Sequence, residues 1–340
     1  MRRASSDPRL PSPRRGSFPV RLPRALLALV IVAALAGCTG GAATTPSVPP
    51  PTGTGSVPPS PAAAFPVTLT DDEGTAVTIA AEPKKIASLS PAVTELLFEL
   101  GLGDRIIGKA EDFALYPPEA GKIPDVATFD SVDVEQIVAK GTELVVAGGN
   151  GFTPPDSIDQ LRGLDIPVLV VYAPDVETMF TDMELIGRAV GRADEASKLA
   201  ETLRAGFAEV GVATAGLDRP RVFYEIDATG AIYGPADKSF LAEMIELAGA
   251  EPITTGSATN FEIPLERLIT ADPEVILLAD APFGVTAEQV EGRPGWGVMT
   301  AVKAGDIRPI DDIKVTRPGP RVLEGLRSLA MAIHPDLDLP

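Results

Sequence analysis

Between Lys85 and Ile333, short β-branched apolar runs alternate with stretches whose apolar residues recur every three or four positions. This alternation constrains the fold more than any other feature of the chain. The candidate strands are Lys85–Ser90, Arg105–Lys109, Glu143–Ala147, Pro167–Ala173, Arg221–Ile226, Val275–Ala279 and Asp306–Ile310. Helical patterns fall between them at Pro91–Leu100, Val134–Lys140, Ser157–Leu164, Val176–Val190, Phe240–Leu247, Ala287–Val290 and Val322–Ile333. Strand followed by helix, repeated many times, buries every apolar run only if parallel sheets are covered on both faces. The predicted class is α/β.

One helix stands apart. In Ala193–Thr214, Ala196, Leu199, Ala200, Leu203, Phe207 and Val210 share a face with no strand adjoining. At 1.5 Å per residue it runs about 30 Å. Lying mid-chain, it is the candidate connector of two α/β lobes, an N-terminal one over 65–192 and a C-terminal one over 218–340, with 193–217 joining them. A repeat supports the division. Val134-Glu135-Gln136-Ile137-Val138 with Glu143-Leu144-Val145-Val146 aligns without gaps on Leu265-Glu266-Arg267-Leu268-Ile269 with Glu274-Val275-Ile276-Leu277. Glu135 and Glu266 thus take equivalent places, one per lobe, near the starts of short helices.

The amino-terminal part reads as a targeting segment. Arginines crowd residues 1–24, and an apolar run follows from Ala25 to Gly37. That run is too short for a helix spanning a bilayer core, which takes about 20 residues. A basic flank with a short apolar stretch reads as a secretory signal covering 1–37. Leu35-Ala36-Gly37-Cys38 resembles the lipobox of bacterial lipoproteins, which implies cleavage before Cys38 and its lipidation. Arg14-Arg15 leaves the export route open between Sec and Tat. Residues 38–64 are rich in Pro, Gly, Ser and Thr and read as a semi-extended tether, placing the globular part on the outer face of the cell membrane.

Composition removes several functions. With one Cys and one His, the chain holds neither a Cys/His zinc site, nor a Ser-His triad, nor a Cys-His dyad. Its net charge of −18 argues against nucleic acid as a partner. Gly148-Gly149-Asn150-Gly151 fits neither a phosphate loop nor a dinucleotide fingerprint and reads as backbone freedom in a loop.

Ligands of open α/β sheets sit beyond the carboxyl ends of the strands. That rule selects Asp112, Phe113, Phe129, Asn150 and Phe152 from the first lobe, and Tyr233, Phe261 and Arg317 from the second. For each aromatic the competing role is core packing. For Arg317 it is a cap or an ion pair before the last helix.

Several spaced motifs carry a family likeness: Lys85-Ile86-Ala87-Ser88-Leu89-Ser90-Pro91-Ala92-Val93-Thr94-Glu95, Tyr116-Pro117-Pro118, Asp133-Val134-Glu135-Gln136-Ile137 and Arg317-Pro318-Gly319-Pro320-Arg321. In this order they resemble the solute-binding proteins of cobalamin and ferric-siderophore ABC importers, over about Thr68 to Ile333. The resemblance implies two Rossmann-like lobes joined by one long helix, a ligand held in the cleft between them, a monomer, and no catalysis. It implies an ABC permease with its ATPase subunits as partners, with Glu135 and Glu266 docking on permease arginines. It also implies aromatic ligand contacts at Phe113 and Phe129 and an arginine offered to the ligand at Arg317. Neither a cofactor nor a resident metal is expected. Cobalamin or a neutral to cationic hydroxamate complex suits the acidic surface better than an anionic catecholate. The competing classes are a surface hydrolase using paired carboxylates, and a haem-binding or sensor module without transport.

Overall fold

The structure, a computed structural model, describes residues 65–339. The signal segment, Cys38 and the tether lie outside them. The described chain opens with an antiparallel hairpin, β1 (Val67–Thr70) and β2 (Ala76–Ile79). A first lobe follows: β3 (Ile86–Leu89), α1 (Pro91–Glu99), β4 (Ile106–Ala110), β5 (Asp125–Ala127), α2 (Val134–Ala139), β6 (Leu144–Gly148), α3 (Pro155–Gly163), β7 (Val168–Val171) and α4 (Val176–Ala189). Its sheet has five parallel strands in the order β5-β4-β3-β6-β7. The long helix α5 (Ala193–Thr214) comes next. The second lobe holds β8 (Arg221–Glu225), α6 (Phe240–Leu247), β9 (Glu251–Pro252), α7 (Leu265–Ala271), β10 (Val275–Leu278), α8 (Ala287–Glu291), α9 (Thr300–Ala304), β11 (Ile307–Pro309), α10 (Asp312–Thr316) and α11 (Val322–Ile333). Its parallel sheet is ordered β11-β10-β8-β9.

The two sheets repeat one plan. In each, the first strand (β3 or β8) is flanked on one side by the strand that follows it, and on the other by a strand entered from a short helix, α2 before β6 and α7 before β10. The aligned sequence segments are these helix–strand pairs. Strands buried on both faces need apolar residues throughout, and Leu144, Val145, Val146 and Ala147 on β6 are all buried, as are Val275, Ile276, Leu277 and Leu278 on β10.

Helix α5 is packed along much of its length. Phe207 meets Phe180 of α4 edge-to-face at 5.5 Å, and the Arg204 guanidinium lies 4.8 Å over the same Phe180 ring. One hydrophobic cluster runs from Leu97, Met179 and Met183 in the first lobe through Phe207 and Val210 to Met244, Leu326 and Leu329 in the second. Across the same boundary, the Val176 N–H at the start of α4 donates to Glu243 Oε2 of α6 at 2.8 Å.

Local signals explain most helix starts. Asp133 and Asp175 cap α2 and α4, accepting from Gln136 N and Thr178 N at 2.8 and 2.7 Å. At α1, Pro91 occupies the first turn as its fixed φ favours. The Ser90 side chain makes no capping bond. The Ser90 carbonyl instead accepts from both Thr94 N and Thr94 Oγ1.

Gly325 marks the tightest helix approach near the seam. A Cβ there would lie 2.1 Å from the Lys314 carbonyl oxygen of α10. Gly325→Ala gains up to about 1 kcal/mol of helix propensity. Backbone atoms cannot rotate aside, so overpacking wins, and we expect a net loss of about 2 kcal/mol in denaturant unfolding. A variant as stable as the parent would show that α10 yields freely.

Candidate functional site

The carboxyl ends of the strands from both lobes meet at a seam closed by charge. Glu95 of α1 has a side chain only 1% exposed, and it accepts hydrogen bonds from two arginines of the second lobe. Arg321 reaches it with Nε and Nη2 at 2.9 and 2.7 Å, and Arg317 with Nη1 at 2.7 Å. Arg317 also holds Asp112 in a two-pronged pair, both contacts at 3.0 Å. The Ala114 N–H donates to the same Asp112 carboxylate. Burial alone would raise the Asp112 pKa, but the hydrogen bonds and charge of Arg317, aided by Ala114 N and Lys109, hold it below the usual range. The Arg321 guanidinium stacks 3.8 Å over the Tyr116 ring.

Asp112 and Arg317 are therefore brought together, with each other as partners. Of the two roles open to Arg317, the structure displays the ion pair. Glu95 and Tyr116, its neighbours in this clasp, are absent from the set of cleft residues selected on sequence, although both lie inside the quoted motifs.

The aromatics divide into pairs. Phe113, after β4, is 75% exposed and faces the equally exposed Phe283 of the second lobe, ring centroids 6.1 Å apart and planes at 60°. Phe129 and Phe152 meet edge-to-face at 6.2 Å on the first lobe. Tyr233 and Phe261 sit on adjoining segments of the second lobe, where Gly234 N donates to the Phe261 carbonyl at 2.9 Å. All six rings are partly or largely exposed. Exposed apolar clusters of this kind mark binding surfaces rather than core. Phe283 was not among the sequence candidates. It follows β10 in Ala281-Pro282-Phe283-Gly284, and the strand-end rule applied to Val275–Ala279 reaches it. Trp296 is buried against Phe223.

Asn150, in left-handed backbone at φ 53°, lines a pocket of about 370 Å³ on the first lobe with Asp72, Glu73, Gly149, Val170, Tyr172, Pro174 and Thr178. Asp182, one turn along α4 from Thr178 and 8% exposed, is hydrogen-bonded to Asp72. Burial first, then the charge of Asp72 and this hydrogen bond, then Asp175, push its pKa up to about 8. A carboxyl held neutral in the folded state stabilises it fully below the unfolded value near 4, and that contribution is lost as pH rises towards 8. Asp182→Asn keeps the donor to Asp72 and removes the ionisation. Its melting temperature should match the parent at pH 4 and exceed it increasingly up to pH 8, where the stability gain is on the order of 5 kcal/mol. A pH-independent difference would refute the assignment.

Glu135 and Glu266 are each the second residue of their helices, α2 and α7, and both are exposed. Neither carboxylate forms a salt bridge among the described residues. Asp133 already caps α2, so Glu135 is not required for that bond.

With this geometry in place, comparison with known proteins is direct. The family model described as "Periplasmic binding protein" matches residues 86–313. The ABC transporter substrate-binding lipoprotein YvrC of Bacillus subtilis is 33% identical over 80% of this chain and 87% of its own length. A cobalamin-binding protein of Halobacterium salinarum is 26% identical over 80% of this chain and 75% of its own. The crystal structure of the periplasmic vitamin B12 binding protein BtuF of Vibrio cholerae superposes with a TM-score of 0.65, at 21% identity, covering 74% of this chain and 97% of that one. That likeness carries the architecture of two lobes with a cleft between them. The matched span takes in both sheets and the helix between them, and this chain belongs to the periplasmic binding protein family of ABC importers.

Proposed function

We propose that the protein captures cobalamin or a ferric hydroxamate siderophore in the interlobe cleft and delivers it, chemically unchanged, to an ABC permease with its ATPase subunits. The observation that carries this reading is the set of exposed rings at the strand ends, with Phe113 of one lobe facing Phe283 of the other across the seam. Large ligands are enclosed mainly by aromatic and apolar walls with few polar anchors. At the same seam Arg317 and Arg321 are both engaged by carboxylates. A tricatecholate chelate, strongly anionic, needs free cations there. A neutral or cationic complex does not, and the net charge of −18 favours it further.

In this reading Phe113, Phe129, Phe152, Tyr233, Phe261 and Phe283 contact the ligand, Asn150 offers a polar anchor, and Asp112 with Arg317 fixes the spacing of the walls. Glu135 and Glu266 face the permease. Cys38 carries the lipid, 1–37 is removed on export, and the tether holds a monomer at the outer face of the cell membrane. A thermal-shift panel of cyanocobalamin, a ferric hydroxamate, a ferric catecholate and haem tests the proposal. A ligand at 100 times its dissociation constant adds about 2.7 kcal/mol of stability. Stabilisation by cyanocobalamin or the hydroxamate is expected. Stabilisation by the catecholate alone, by haem alone, or by none of the four would overturn it.

A further inference from the structure

At the carboxyl ends of β8 and β10 lies a charged group that ligand contact does not use. Glu225, the last residue of β8, is fully buried and accepts both Nη groups of Arg293 at 2.5 and 2.8 Å. The Arg293 guanidinium lies 4.6 Å above the Trp296 ring. Asp280 follows two residues after Leu278, whose register partner across the sheet is Glu225. It is 4% exposed, and neither of its carboxyl oxygens meets a donor among the described residues.

Two buried carboxylates and one partly exposed guanidinium leave one negative charge uncompensated if both acids ionise. A single proton resolves this, with the Asp280 hydroxyl donating to the Glu225 carboxylate. Burial first, and the charge of Glu225 second, push the Asp280 pKa up to about 7, against the pull of Arg293. The acids that follow β11 do not share the site. Asp312 accepts from Tyr224 on the opposite face of the sheet, and Asp311 pairs with Lys314.

Asp280 also anchors the cleft mouth. The tight turn Ala281–Phe283 begins directly after it, and the Phe283 N–H donates to the Asp280 carbonyl at 2.9 Å. We infer that Asp280 is a positioning residue: a proton shared with Glu225 holds the turn and keeps Phe283 against Phe113, and loss of that proton to solvent drives the turn outward and parts the rings. The consequence for ligand entry rests on the proposed capture role. The proton and the movement do not.

Trp296 is the chain's single tryptophan and reports on this cluster through Arg293. Its fluorescence in the full chain should show one transition near neutrality between about pH 5.5 and 8.5, and Asp280→Asn, which keeps a donor to Glu225, should abolish it. Movement is read from spin labels at Glu111→Cys and Pro282→Cys in a chain with Cys38→Ala, where the label separation should widen from pH 6 to pH 8 and stay constant with Asp280→Asn added. A wild-type chain without the fluorescence transition overturns the shared proton, even if Asp280→Asn fails to fold. A transition that persists in Asp280→Asn overturns the assignment to Asp280, and a constant label separation overturns the gate. The ligand panel decides capture separately, so the two ideas can fail independently.

Discussion

Glu95→Ala should unfold well below the parent protein, by about 3–5 kcal/mol, or roughly 10 °C in melting temperature. The size follows from what is left behind. Glu95 is buried and neutralises two guanidinium groups that are themselves largely enclosed. Truncating it strands Arg321 with only the Tyr116 ring and leaves Arg317 with Asp112 alone. A buried ion pair can be neutral overall against an apolar replacement, yet breaking it from one side is costly. The triple variant Glu95→Leu, Arg317→Met, Arg321→Met should therefore recover much of the loss. Asp112 refines the pH behaviour. Its folded pKa is depressed, so its contribution is present above the unfolded value near 4 and fades only as pH falls through the folded one. Calorimetry between pH 4 and 8 should find this part of the clasp intact. A Glu95→Ala melting temperature within 2 °C of the parent would remove the clasp from the account.

The second large effect concerns delivery. Under the proposed docking role, Glu135→Ala with Glu266→Ala should abolish ligand uptake by cells or by vesicles carrying the permease, with ligand affinity unchanged. Both side chains are exposed and free of salt bridges among the described residues, and they stand at equivalent places on the two lobes. Their loss costs the fold little, since a charge near a helix start contributes only about 0.3–1 kcal/mol. Two separated carboxylates fix the orientation of encounter and speed association. Either single variant should retain partial transport. Normal uptake by the double variant would exclude these residues as the docking pair.

What the sequence disclosed depended on how far its information was local. The span Ala193–Thr214 reads to the residue because 22 positions of one period outweigh any single ambiguous side chain. The hairpin β1–β2 did not register, because strands of four residues give too few alternations, although Leu69, Val77 and Ile79 are the buried ones. The three-residue β5 and two-residue β9 are shorter still. Strand ends located the aromatic loops, since topology alone brings them to one edge. Phe283 was passed over because Ala-Pro-Phe-Gly carries turn chemistry and no periodicity. The partners of Arg317 were beyond reach in another sense: Glu95 lies 222 positions away, and no spacing rule links residues that only the closed seam makes neighbours. Asp280 shows the same limit, since an orphaned carboxyl is defined by the donors that fail to arrive.

The apolar cluster threading α5 into both halves has a mechanical corollary. Halves that share one oily interior behave as a stiff cradle, so swinging wide would tear packed side chains apart. Under the proposed delivery role, cargo then leaves because something prises the cradle from outside. The work of unloading would fall to the membrane machinery and its nucleotide, not to elastic energy kept in the carrier.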